Sequence, residues 1–294
     1  MTSKNNNDIP TIFEMLVENS KQYPNDVAVL FKEQNISLTW KQMVEQVDHL
    51  AAGMFNLGLS KGDRVAIWSR NRVEMLLTQL ASTRLGIILV FLNDHLSLVE
   101  FEMVLNIYSC KALFIQPTHS PYYFQYLNNC PGMIRFISVL SMGIMALKKG
   151  LDIQALEKAV SMKDTVSIVF KGSDEERKTG AQLSQEMIVN KGISFAKEKS
   201  MSRSDIFCVD VPLFNISGNI CSVISCIHVG CAMVFPGEIS YAPNTLKVLQ
   251  DEKCTILNST ISGYQNIMLH PQFNPTKYEF KEKFNCYSEL IKTN

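Results

Sequence analysis

From Leu38 onward, helix-like and strand-like patterns alternate along most of the chain, and that alternation restricts it to an α/β architecture. The stretch LTWKQMVEQVDHLAAGMFNLG sets Trp40, Met43, Val44, Val47, Leu50, Ala51, Met54 and Phe55 on one helical face. Thr39 and Gln42 form a capping-box start, and Gly58 supplies the stop. DRVAIWS (63–69) then reads as a buried strand, NRVEMLLTQLASTRLG (71–86) as a helix, IILVFLN as a strand, SLVEFEMVLNIY as a helix and KALFIQ as a strand. After an indistinct middle, with a strand at RFISVL and a short helix at DIQALEKAV, the rhythm returns. TVSIVF reads as a strand, GAQLSQEMIVNKGISFAKE (180–198) as a helix, IFCVDV as a strand, GNICSVISCIHVG as a helix and CAMVFPG as a strand. NTLKVLQDE (helix), CTILN (strand) and TISGYQNIML (helix) follow. Short strands separated by helices predict a parallel sheet with flanking helices. No internal repeat of fixed period is read, and residues 276–294 lose the alternation and promise no strand to finish a layer.

A formal net charge of zero argues against a nucleic-acid or anionic-membrane surface as the main business. The first nine residues, MTSKNNNDI, have no apolar core and read as a disordered arm, and no apolar run reaches the ~18–20 residues of a membrane span. The expected compartment is the cytoplasm. Eight cysteines with no C-x-x-C read as reduced thiols rather than a disulfide framework. Cys221, Cys226, His228 and Cys231 cluster, but a five-residue step turns a helix by ~500° and spreads them over different faces. Core thiols are the better reading.

The segment from Thr165 to Gln185 reads as strand, polar loop and helix, an arrangement that holds phosphates. Gly172 to Thr179 nearly spells G-x-x-x-x-G-K-[ST], with Arg177 in place of the second glycine. Asp174, Glu175 and Glu176 oppose a phosphate, since like charges ~4 Å apart repel by ~1 kcal/mol in water and by more near a surface of lower dielectric.

Residues 10–275 resemble the N-terminal part of an adenylate-forming (AMP-binding) acyl-CoA synthetase, in the acyl-CoA synthetase/luciferase superfamily, and are most similar to medium-chain members. Gly58, Gly62, Asp63, Val65, Asn71, Glu74, Gly86 and Asn93 fall in the register of the family's G-[LV]-x-x-G-D-x-V … N-x-x-E … G-x-x … N run. Within that run Gly62-Asp63 reads as a turn and Asn71 as the opening of a helix. Turn and helix-face roles suit Asp63 and Glu74 better than a catalytic carboxylate pair. Lys171–Gly180 overlays the family's T-S-G-T-T-G-x-P-K-G loop with only Gly180 matching in position; Lys178 stands one residue from the family lysine. The resemblance implies a degenerate nucleotide-binding set of Gly172, Ser173, Lys178, Thr179 and Gly180. Pro212, Leu213, Phe214, Gly218 and Gly230 match the family's P-L-[FY]-H-x-x-G stretch, with Asn215 in place of histidine. By the same resemblance, Phe214, Asn215 and Gly218 border an acyl and adenylate pocket. ATP, magnesium and coenzyme A are the implied cofactors, and a fatty acid or acyl-adenylate the implied ligand. The family's downstream Y-G-x-[TS]-E segment, ribose-binding aspartate and C-terminal domain are not matched. A truncated, weakly active or inactive ligase is therefore expected, with two alternatives: a noncatalytic acyl- or partner-binding protein, such as one that pairs with an intact homologue, or a truncated gene product without independent function.

Overall fold

A computed structural model describes residues 9–93, 96–116, 129–130, 133, 135–138, 156–157, 159–170, 180–277 and 285–286. The helix expected at 152–160 lies mostly outside them. The chain opens with α1 (Ile12–Gln22), then the hairpin β1 (Val27–Phe31) and β2 (Ile36–Thr39), α2 (Trp40–Asn56) and β3 (Arg64–Trp68). Next come α3 (Val73–Leu85), β4 (Ile88–Phe91), α4 (Leu98–Ile107), β5 (Ala112–Ile115) and β6 (Arg135–Ser138). A second hairpin, β7 (Thr165–Val169) and β8 (Ala181–Ser184), leads into α5 (Gln185–Glu198) and β9 (Ile206–Asp210). A π-helical segment (Ser217–Ile224) continues as α6 (Ser225–Val229), followed by β10 (Ala232–Phe235) and α7 (Ala242–Asp251). β11 (Ile256–Ser259), α8 (Ile261–Met268) and the two-residue β12 (Asn285–Cys286) complete the order.

Among the described residues the strands form two six-stranded sheets, β12-β11-β9-β10-β1-β2 and β6-β5-β3-β4-β7-β8. Each is parallel except for its hairpin, where β2 runs antiparallel to β1 and β8 to β7. The sheets are therefore mixed rather than simply parallel. The two orders also share one topology: adding six to the strands β3 to β6 of the second sheet gives β9 to β12 of the first. Each half of the chain runs hairpin, helix, then strand–helix–strand–helix–strand, so the fold carries a topological repeat that no fixed sequence period announces. The hairpins are exchanged. β1–β2 extends the sheet built by the second half, and β7–β8 extends the sheet built by the first. At the first junction Phe31 and Phe235 are register partners whose rings stack at 4.3 Å.

Strand periodicity explains the layering. Val65, Ile67, Leu89 and Phe91 of one sheet and Val29, Phe31, Phe207 and Val209 of the other join the central core around α1, α2, α3 and α5. Their alternates face outward: Ala66, Trp68 and Val90 pack under α4 with Phe101, and Cys208 and Val234 pack under α7 and α8. Both faces of each sheet are buried, as crossover helices require. Local signals set the helix starts. Thr39 with Gln42 and Ser97 with Glu100 form reciprocal capping boxes, each worth about 1 kcal/mol. Gly86 and Gly230 end α3 and α6 in the left-handed conformation.

Two further expectations need correction. Residues 180–198 are not one helix: Ala181, Gln182 and Leu183 pair with Val169, Ile168 and Ser167, and the helix starts only after Ser184, whose hydroxyl accepts from the Met187 N–H. A four-residue period-two stretch is too short to override the helical pattern behind it. The tail does supply a strand, because β12 pairs in parallel with β11 at Asn258–Asn285 and Ser259–Cys286.

Candidate functional site

The correction at 180–198 changes the phosphate-loop reading. Residues 170–180 connect two antiparallel strands, and the N-terminus of α5 lies at the other end of that hairpin. There the Gln185 and Glu186 N–H groups donate to the carbonyls of Asp164 and Met162 at 3.0 and 2.8 Å. A four-residue strand sets Gly180, where the loop ends, about 13 Å from them, beyond the first-turn reach of the helix dipole. Gly172, Ser173, Lys178 and Thr179 lie outside the described residues. Gly180 is described. Its N–H donates to the Tyr108 hydroxyl at 2.6 Å, and a Cβ there would stand 2.5 Å from Ile168 and 3.1 Å from Phe170. Tyr108 also meets the Phe170 ring edge-on at 5.7 Å, so one side chain of the α4 C-cap holds both ends of the loop. Nothing in the sequence signalled Tyr108.

The second expected site, 212–218, follows β9. Pro212 accepts the Asn215 N–H at 3.0 Å, and Asn215 accepts the Asn219 N–H at 3.0 Å, closing a turn into the π-helical segment. Phe214 and Asn215 are half-buried, with Phe214 against the central core. Gly218 is buried, and a Cβ on it would lie 2.8 Å from the Pro212 carbonyl carbon, 3.2 Å from the Leu213 Cα and closer still to the Pro212 oxygen. These are backbone atoms, so only glycine lets the helix start this close to the preceding turn. Cys221, Cys226 and Cys231 are buried in the central core, whereas His228 is exposed.

Around this turn the strand ends of both sheets are knitted by polar groups. Asn71 does not cap α3; the N-cap is Arg72, which makes no side-chain cap bond. Instead the Asn71 side chain accepts from the Leu213 N–H at 2.7 Å and donates to the Val211 carbonyl at 3.0 Å, across the two sheets. The Arg72 guanidinium pairs with Glu238 and, at 3.3 Å, with Glu74. Burial alone would lower the Arg72 pKa, but the two carboxylates outweigh it and hold it above its ordinary value. Gln116 donates to Glu238 at 2.8 Å and Gln34 to Glu74 at 3.0 Å. Asp63 is engaged at the other end of β3, by Lys111 at 2.7 Å, so Asp63 and Glu74 make no carboxylate pair.

Asp210, at the end of β9, is a buried carboxylate that sequence patterning missed. It accepts from the hydroxyls of Ser240, Thr245 and Ser259 at 2.7, 2.8 and 2.6 Å. Burial pushes its pKa up, and the three hydroxyl bonds partly oppose that. The helices after β9 and β10 lie on opposite faces of their sheet, as do those after β3 and β4. Such reversals open a crevice at the carboxyl ends of the strands, where open α/β sheets bind ligands.

A sequence profile described as AMP-binding enzyme matches residues 16–288. The chain belongs to the AMP-binding enzyme family. Among curated relatives, the medium-chain acyl-CoA ligase ACSF2, mitochondrial, of Homo sapiens is 26% identical over 299 residues, covering 90% of this chain and 48% of that protein. The acyl-CoA ligase SID4 of Ajellomyces capsulatus is 23% identical over 282 residues, covering 88% and 47%. The chain thus spans about half the length of these relatives. Among solved structures, the N-terminal domain of FACL13 from Mycobacterium tuberculosis aligns with a TM-score of 0.80 at 17% identity, over 92% of this chain and 68% of that one. The fold is that of the N-terminal domain of acyl-CoA synthetases. Among the described residues, no helix is long and apolar enough to cross a membrane.

Proposed function

We propose that this chain forms the acyl- and nucleotide-binding part of a medium-chain fatty acid–CoA ligase, and that alone it binds an acyl-adenylate while turning over weakly or not at all. The observation that carries the reading is the unequal length of two equivalent hairpins. β1 and β2 are joined by residues 32–35, whereas β7 and β8 are joined by residues 170–180 within the family match. Hairpins need only ~2–5 connecting residues, and the surplus at 170–180 falls where the family carries its phosphate loop, which supports an inherited ligand-binding role. Its position at the carboxyl ends of parallel strands, with the 212–218 turn at the same end of the other sheet, suits a ligand with an acyl moiety and a phosphate.

Weak turnover follows from the residues themselves. Asp174, Glu175 and Glu176 occupy the loop where the family places small hydroxyls and glycines, and Asn215 cannot become a cation as histidine can. ATP would require Lys178, the backbone around Gly172 and Ser173, and its magnesium to offset that charge, and coenzyme A would enter only for the second half-reaction. The same substitutions favour, as second reading, a noncatalytic acyl-binding protein that pairs with an intact homologue. The seven cysteines that are buried and free among the described residues suit a reducing compartment such as the cytoplasm. The test is thioester synthesis by the purified chain with medium-chain fatty acid, ATP, magnesium and coenzyme A. The expected result is a rate at or near background, and robust synthesis would overturn this reading of the loop.

A further inference from the structure

We propose that Asn71 is a positioning residue of the acyl-adenylate pocket, fixing the Phe214–Asn215 turn of one sheet to the frame of the other. The proposal rests on the reading above that 212–218 borders that pocket. β9 ends at Asp210, so the Val211 carbonyl and the Leu213 N–H have no strand neighbour to satisfy them. A single carboxamide meets both, accepting at 2.7 Å and donating at 3.0 Å, and its own backbone N–H donates to the Glu238 carbonyl at 3.1 Å. Asn71 is buried and so ties the ends of β3, β9 and β10 at one point.

Its own position is secured from both sides. On one side the Arg70 N–H donates to Gln116 at 3.0 Å, and on the other Arg72 pairs with Glu238. Gly218 presses on Pro212 from the helix. The segment Val211–Leu213 is thereby held between a hydrogen-bonding side chain and a close backbone contact, and Phe214 and Asn215 emerge from it in one orientation. A carboxamide supplies donor and acceptor together at this reach, and in a form that does not titrate near neutral pH. Alanine supplies neither, and serine is too short to span both partners.

The test measures the Kd of a nonhydrolysable medium-chain acyl-adenylate mimic by calorimetry, well below the melting range. The proteins are the wild type, Asn71→Ala, the milder Asn71→Ser, and Asn19→Ala. Asn19 makes a buried bond of similar kind, to the Ile227 carbonyl, outside the pocket. The expected result is binding weakened about tenfold or more in both Asn71 variants, from loss of hydrogen bonds that orient the turn, with Asn19→Ala within about twofold of wild type. Asn71 variants that melt earlier yet bind as wild type would overturn the proposal and leave a purely structural bond. Wild type that does not bind would overturn the functional reading and this inference with it. Should neither Asn71 variant melt cooperatively, hydrogen exchange of the wild type decides. The mimic must slow exchange at the Leu213 amide, and unchanged exchange at saturation refutes the positioning role.

Discussion

Replacing Gly218 by alanine probes the geometry on which the candidate pocket depends. The added Cβ would stand 2.8 Å from the Pro212 carbonyl carbon and 3.2 Å from the Leu213 Cα, with the Pro212 oxygen nearer still. Flexible side-chain ends could yield, but these are backbone atoms of a turn pinned by Asn71. Overpacking costs ~1–3 kcal/mol, and rigid neighbours put this case near the upper end. Alanine recovers ~1 kcal/mol of helix propensity over glycine. The net expectation is a loss of about 2 kcal/mol, large against the 5–15 kcal/mol of typical total stability. Urea denaturation followed by circular dichroism reads it as a lower midpoint with unchanged slope. Because the clash displaces the turn bearing Phe214 and Asn215, affinity for the acyl-adenylate mimic falls as well. A Gly218→Ala protein as stable as wild type would refute the close approach and the pocket geometry built on it.

Two more predictions concern groups that sequence patterning missed. The Asp210 pKa is raised by burial, so the folded state holds its proton to higher pH than the unfolded chain does. Its contribution is fully present below the unfolded value and is lost as pH rises through the folded one. The stability difference between wild type and Asp210→Asn, from urea melts at several pH values, should therefore move against wild type as pH increases; the opposite slope would contradict the assignment. Tyr108→Phe keeps the edge-on contact with Phe170 but removes the acceptor for the Gly180 N–H. It should cost about 1 kcal/mol in the same melts, and no loss would show that the hydroxyl holds nothing.

Much of the fold was legible because its strongest local signals agree with its tertiary structure. The apolar face of α2, its Thr39–Gln42 capping box and the β3–α3–β4 alternation all formed as the pattern required. The β1–β2 hairpin leaves little trace in the sequence. Its turn lacks glycine and uses Asn35 at φ 52°, so the usual hairpin signature is absent. Strand β8 was absorbed into the helix behind it for want of length. The site was less legible than the fold. Asn71 stands in a family motif, but its partners lie 140 and 142 residues away, just past a strand of the other sheet, and no local pattern reveals them. Asp210 and Tyr108 likewise take their roles from neighbours that only the exchanged hairpins and crossovers bring close.

Whether the chain retains an acyl-adenylate pocket is read from a thermal melt with and without the nonhydrolysable medium-chain mimic. Binding to the native state alone adds RT ln(1 + [L]/Kd), about 2.7 kcal/mol at a hundredfold excess over Kd. A retained pocket gives a cooperative melt that moves upward with the mimic and less with AMP or fatty acid alone. A cooperative melt that the mimic leaves in place would contradict it.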